Sequence, residues 1–189
     1  MPVLVIPGYL TGDAATLVMR TALRALGHRV YGWGLGINRG DVRPAVIAMM
    51  DRLEHLAARE GEPVHVIGWS LGGVIAREAA RERPGAVAQV ITMGTPVVGG
   101  PKYTAAARNY AARGHDLDQI EARAARRNAR PLRVPVLALY SKVDAVVAWQ
   151  ACLDPHAPNA VEHVEVRAGH AEMGFSREVL KLLAARLAR

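Results

Sequence analysis

Six short apolar stretches recur along the chain, at residues 3–6, 28–33, 64–67, 87–93, 134–140 and 161–166, and helical spacing fills most of the ground between them. Short apolar runs bounded by glycine or proline are the pattern of strands buried on both faces. Val3, Leu4, Val5 and Ile6 end at Pro7-Gly8, and residues 87–93 close on Gly94-Thr95-Pro96. A first helix is expected from about 14 to 26, with Leu17, Thr21 and Leu26 near one face, capping residues at Thr11, Gly12 and Asp13, and Gly27 as its stop. A second is marked by Val42, Val46, Met49, Leu53 and Leu56, with Asp41 placed to cap it. A third runs over 74–81, and a terminal one over 176–187 carries Val179, Leu183 and Leu187 on one stripe. Residues 97–130 show no strand pattern; 105–113 and 117–130 read as helical, divided by Gly114. Strands alternating with helices predict an α/β three-layer sandwich of about six mostly parallel strands, linked by right-handed crossovers. No repeat or linker divides the chain, so one domain over 1–189 with a helical basic insert at about 97–130 is expected.

Composition narrows the class. A chain of 189 residues that is 51% apolar can bury a core without covalent staples. No apolar run approaches the ~20 residues of a bilayer span. Met1-Pro2 leads straight into the first strand with no cationic leader, so a cytoplasmic protein is expected, with secretion after removal of a leader left open. Cys152 stands alone, which excludes an internal disulfide, and the seven histidines form no H-x-x-x-H pair, so neither metal nor cofactor is expected. The net charge of +7 is uneven: residues 102–133 hold eight Lys and Arg against Asp116, Asp118 and Glu121, and so supply +5 of it. The simplest reading is a solvated helical face; weak contact with an anionic membrane surface is the alternative. Few aromatics accompany these arginines, which argues against nucleic acid as a partner.

The chemistry gathers around residues 66–73, Val-Ile-Gly-Trp-Ser-Leu-Gly-Gly. Gly68-Trp69-Ser70-Leu71-Gly72 is a G-x-S-x-G match with an apolar run before it and a helical run after it, the strand, turn and helix of a nucleophile elbow. In that setting Ser70 sits in a strained turn at a strand's carboxyl end, and flanking glycines let neighbouring chain pass close by. A serine nucleophile needs a base, and the base an orienting acid. In parallel sheets functional groups collect past the carboxyl ends of the strands, which selects Asp144 after the fifth strand and His170 after the sixth. His163, inside the sixth strand, is a weaker alternative base. His28 and His65 at strand starts, His55 on a helix, and His115 and His156 in polar loops read as structural or solvated. Asp116 and Asp118 suit a helix cap and Asp154, before Pro155, a turn. For an oxyanion hole the Leu71 amide follows the nucleophile directly, and Tyr9 in the loop after the first strand is the choice for the second donor. Trp69 is expected to pack under the elbow.

These stretches, with Gly94-Thr95-Pro96, residues 140–147 and Gly169-His170, resemble the α/β-hydrolase superfamily over nearly the whole chain. Within it they resemble small bacterial lipases and esterases without a full cap domain. That resemblance implies a minimal α/β-hydrolase fold, with catalytic roles for Ser70, Asp144 and His170 and oxyanion amides at Tyr9 and Leu71. Pro7 departs from the histidine that many relatives carry before the glycine. The implied activity is hydrolysis of carboxylic esters through an acyl enzyme on a small-molecule substrate. Alternatives are acyl transfer or thioester hydrolysis on the same triad, or a binding module that keeps the fold without the chemistry. Residues 97–130 are too few for a cap with its own core. Two short helices laying Val97, Val98, Leu117 and Ile120 beside Ser70, with the arginines turned outward, are expected to leave an open or partly covered groove for short to medium acyl esters.

Overall fold

The computed structural model describes residues 1–155 and 161–188. Six parallel strands form one sheet: β1 (Pro2–Ile6), β2 (Arg29–Gly32), β3 (Val64–Trp69), β4 (Val87–Met93), β5 (Val136–Tyr140) and β6 (Val161–Glu165), in the order β2-β1-β3-β4-β5-β6. β1 is apolar throughout and wholly buried because helices cover both its faces. On one side Leu4 and Ile6 pack with α2 (Val42–Glu60) and α3 (Leu71–Glu82). On the other, Val3 and Val5 meet Met19 and Leu23 of α1 (Leu17–Ala25) and Val179, Leu183 and Leu187 of α6 (Arg177–Leu187). The stripe read for α6 is therefore its buried face. The result is the three-layer α/β sandwich that the alternating pattern predicts.

Several local expectations change. The first helix opens as a 3-10 turn, Asp13–Thr16, and buries Thr16, Met19 and Leu23, while Leu17 and Leu26 are 52% and 57% exposed. Asp13 caps nothing there; its carboxylate accepts from the Trp33 and Gly34 amides and ties the start of the helix to the end of β2. Asp41 precedes α2 without a side-chain capping bond, and the Val42 amide donates to Gly40 O instead. β5 begins after Pro135, which has no N–H to give to the ladder. Residues 97–130 hold a 3-10 turn, Gly100–Tyr103, then α4 (Ala107–Ala112) and α5 (Leu117–Asn128). This segment is stitched to the loop after β5: Ala105 donates to Val146 O at 2.8 Å, and Ala148 to Tyr103 O at 3.0 Å. Among the described residues no helix is long and apolar enough to cross a membrane.

Strand order reverses direction between β1 and β3. Open parallel sheets bind ligands at such a point, past the strand carboxyl ends, and there the loop after β1 lies beside the turn after β3.

Candidate active site

Ser70 joins β3 to α3 with φ 54° and ψ −124°, a conformation uncommon for a residue with a side chain. The neighbours make this turn possible and hold it. A Cβ on Gly68 would fall 2.4 Å from Gly73 Cα, and one on Gly72 would fall 2.3 Å from Ile6 O. Both positions thus need glycine for the helix to leave the strand so abruptly. Ser70 N donates to Met93 O at 2.8 Å, while Ser70 O accepts from Gly73 N at 2.9 Å and from the buried Thr95 hydroxyl at 3.0 Å. The strained residue is therefore anchored to the end of β4 on one side and to its own helix on the other.

His170 and Asp144 meet although 26 positions separate them: His170 Nδ1 lies 2.6 Å from Asp144 Oδ2. The other carboxylate oxygen, Oδ1, accepts from the Val146 and Val147 amides, each at 2.8 Å, which fixes the carboxylate plane. Asp144 therefore stays an acceptor and the imidazole donates through Nδ1–H, which leaves Nε2 with a lone pair. Trp69 Nε1 donates to His170 O at 3.1 Å, and the two rings lie 6.0 Å apart. Trp69 thus packs under the elbow and steadies His170, and it also borders the cavity that opens on Ser70. Gly94, at φ 53°, passes behind the pair; a Cβ there would sit 3.0 Å from both Asp144 Oδ2 and His170 Nδ1.

The loop after β1 reaches the serine at Gly8, where an added Cβ would lie 3.2 Å from Ser70 Cβ. In that loop Leu10 adopts φ 58°. Asn38, 1% exposed, holds it: the side-chain amide donates to Pro7 O at 3.0 Å, the backbone N–H to Thr11 O at 2.8 Å, and its carbonyl accepts from Leu10 N at 2.7 Å. From above, the Tyr9 ring lies 5.2 Å from that of Tyr110 on α4, and the Tyr9 hydroxyl accepts from Arg113 Nη1 at 3.1 Å. Burial pushes the Tyr110 hydroxyl up to about 12, so it stays protonated at neutral pH. Leu71 opens α3, where an amide has no acceptor within its own helix.

Ser70, His170, Tyr9 and Leu71 border one cavity of about 1000 Å³. Asp144 stands behind His170 with its side chain 1% exposed. The other candidates are engaged elsewhere. Asp116 caps α5 by accepting from Gln119 N at 3.0 Å, and Asp118 pairs with Lys102 at 2.7 Å. Asp154 is no simple turn residue, because it forms a buried ion pair with Arg77. His163 Nε2 accepts from Asp154 N at 3.0 Å. His28 precedes β2, His65 lies within β3, and His55 is exposed on α2, while His156 lies outside the described residues. His115 is exposed in the loop before α5, as read, and it also borders the cavity and rests 5.4 Å from the Tyr110 ring. The arginines of the insert are not all turned outward: Arg123 and Arg127 line the cavity. Of the apolar residues expected beside Ser70, Ile120 borders the cavity, whereas Val97 is packed in the interior.

The sequence profile of the alpha/beta hydrolase family matches residues 3–184. Alpha/beta hydrolase domain-containing protein 10 from mouse superposes with a TM-score of 0.68 at 21% identity, covering 99% of this chain and 88% of that one. A lipase-esterase related protein from Clostridium acetobutylicum ATCC 824 gives a TM-score of 0.71 at 10% identity, with 99% and 93% of the two chains covered. Naproxen esterase (carboxylesterase NP) from Bacillus subtilis gives 0.68 at 16% identity over 100% and 84%. Identities this low show a shared fold. No curated protein matches the sequence.

Proposed function

The chain belongs to the alpha/beta hydrolase family, and from that premise we propose that it hydrolyses carboxylic esters with Ser70 as nucleophile, His170 as general base and acid, and Asp144 as the orienting carboxylate. One observation carries the reading: a serine held at φ 54° at the head of α3 shares a cavity with a histidine whose Nδ1 is fixed 2.6 Å from a carboxylate. In this mechanism His170 Nε2 takes the Ser70 proton as Oγ attacks the ester carbonyl. The Tyr9 and Leu71 amides stabilise the oxyanion. The imidazolium, steadied by Asp144, then protonates the departing alcohol. Water deprotonated by the same nitrogen releases the acyl group. Asp144 acts through His170, holding the tautomer that leaves Nε2 free to accept.

The test is a fluorophosphonate probe with intact-mass analysis, alongside turnover of aryl esters. Wild-type chain should gain one adduct and Ser70→Ala none, with ester turnover falling at least ~10³-fold. Cys152 is buried and its thiol is pushed up to about 12, so it should not compete for the probe. Turnover at the wild-type level in a folded Ser70→Ala chain would overturn the assignment.

A further inference from the structure

The cavity that opens on Ser70 far exceeds what an acetyl group needs, and its wall changes character along α3. Leu71, Val74 and Glu78 recur at spacings of three and four, each half-buried, and form one strip of the cavity floor. Facing them are Val42, Val46 and Met50 of α2. These three pack against the core with one side and border the cavity with the other. At Glu78 the apolar floor ends and the strip turns charged, and Glu82, one turn further on the same face, also borders the cavity. The Glu78 carboxylate accepts from Arg81 Nη1 at 2.5 Å and lies 3.4 Å from Arg127 Nε, which reaches over from α5.

Geometry converts that change into a length. At ~1.5 Å of rise per residue, Leu71 to Glu78 spans about 10 Å along the helix. An extended alkyl chain with ~1.5 Å bonds advances about 1.3 Å per carbon, so about eight carbons reach the charged pair. Direction follows from the sheet order. His170, which would protonate the leaving alcohol, follows β6 at one edge, whereas α2 leads from the opposite edge strand β2 into β3. The alcohol then departs past His170, and the acyl chain fills the space between α2 and α3. Resting on the reading of Ser70 as nucleophile, we propose that this space is an acyl trench selecting medium-chain acyl esters of about eight carbons, with the Glu78–Arg127 pair as its end stop.

Two measurements test it. In a series of aryl esters from acetyl to dodecanoyl, kcat/KM should rise two- to fourfold per methylene up to about the octanoyl ester, the upper figure being ~0.8 kcal/mol per buried methylene, and then level off or fall. Val74→Trp, which puts a bulky ring on the floor, should cut the octanoyl-to-acetyl ratio at least tenfold. Arg127→Leu, which removes the far charge but leaves Glu78 paired with Arg81, should move the optimum to longer chains. The second measurement does not depend on turnover: calorimetric titration of the Ser70→Ala chain with carboxylates from hexanoate to dodecanoate. Affinity should climb with length to about octanoate, and Val74→Trp should abolish the climb. Affinity indifferent to length, or a ratio unmoved by Val74→Trp, would overturn the trench. Undiminished turnover by Ser70→Ala would overturn the nucleophile while leaving the titration to judge the trench.

Discussion

Asp144 and Asp154 are both carboxylates in the connection after β5, and their surroundings give them different work. Asp144 spends one oxygen on two backbone amides and the other on His170. Asp154 is buried with Arg77, both side chains 3% exposed, and burial holds the Arg77 guanidinium below its ordinary value while the Asp154 charge opposes that shift. Asp144→Asn should therefore lower kcat by up to ~10⁴-fold with little change in melting temperature. Asp154→Ala should do the reverse: removing one partner of a buried pair costs on the order of 3–5 kcal/mol, while the fraction still folded keeps its kcat. Kinetics combined with urea unfolding of each variant decides this, and a kcat loss in Asp154→Ala equal to that in Asp144→Asn would mean that the roles are misassigned. Asp144 is legible in the sequence because position past a strand's carboxyl end marks it. Asp154 reads there as a turn residue because its partner lies 77 positions away. Asn38 leaves no sequence signal at all, since its role rests on Pro7, 31 positions away across the sheet edge.

At the scale of elements, whatever is encoded locally is readable. The elbow needs only a strand, four small or turn-forming residues and a helix in immediate succession, and β4 occupies the span its apolar run marks. Faces that depend on packing partners are less so. The Leu17 and Leu26 face expected of α1 loses to Met19 and Leu23, which stand one turn apart on the buried side, whereas Leu17 and Leu26, nine positions apart, fall on opposite sides of a 3.6-residue helix. In the insert, helix positions are clear from sequence but the direction of the arginines is not, since Glu78 on α3 draws Arg127 inward. α4 also acquires a duty that its short sequence does not announce: its Tyr110, with Arg113 just past its end, clamps Tyr9, the second proposed oxyanion donor. Arg113→Ala should therefore reduce kcat about tenfold, a fraction of the ~10²–10³ that losing a whole donor costs, with KM nearly unchanged. Its stability should barely move, because the Arg113 bond is exposed. A steady-state comparison of kcat and KM checks this, and a change confined to KM would assign Arg113 to substrate contact instead.

For the molecule as a whole, three half-buried histidines set how stability responds to acid. Burial lowers His65, His163 and His28 from their ordinary value of 6.5. For His163 the nearby Arg77 charge adds to that effect and Asp154 opposes it. The structure shows why the neutral forms are favoured: His163 Nε2 accepts from the Asp154 amide, which a protonated ring cannot do, and His65 Nδ1 is buried with no acceptor among the described residues. The unfolded chain therefore binds protons below about 6.5 that the folded chain refuses, so stability rises with pH across this window. It should be fully present near pH 8 and fall steadily between about pH 6.5 and 5. The carboxylates held below their ordinary values, Glu60, Glu121 and Asp116, act in the same direction but release their contribution at lower pH. The interval from about pH 7 to 5 thus isolates the histidines. Urea midpoints taken across it should decline for the wild-type chain and flatten in the double variant His65→Gln, His163→Gln, where the glutamine side-chain oxygen introduced beside Asp154 can still accept from its amide. A midpoint that stays constant across that interval in the wild-type chain would show that these rings protonate in place without disturbing the fold.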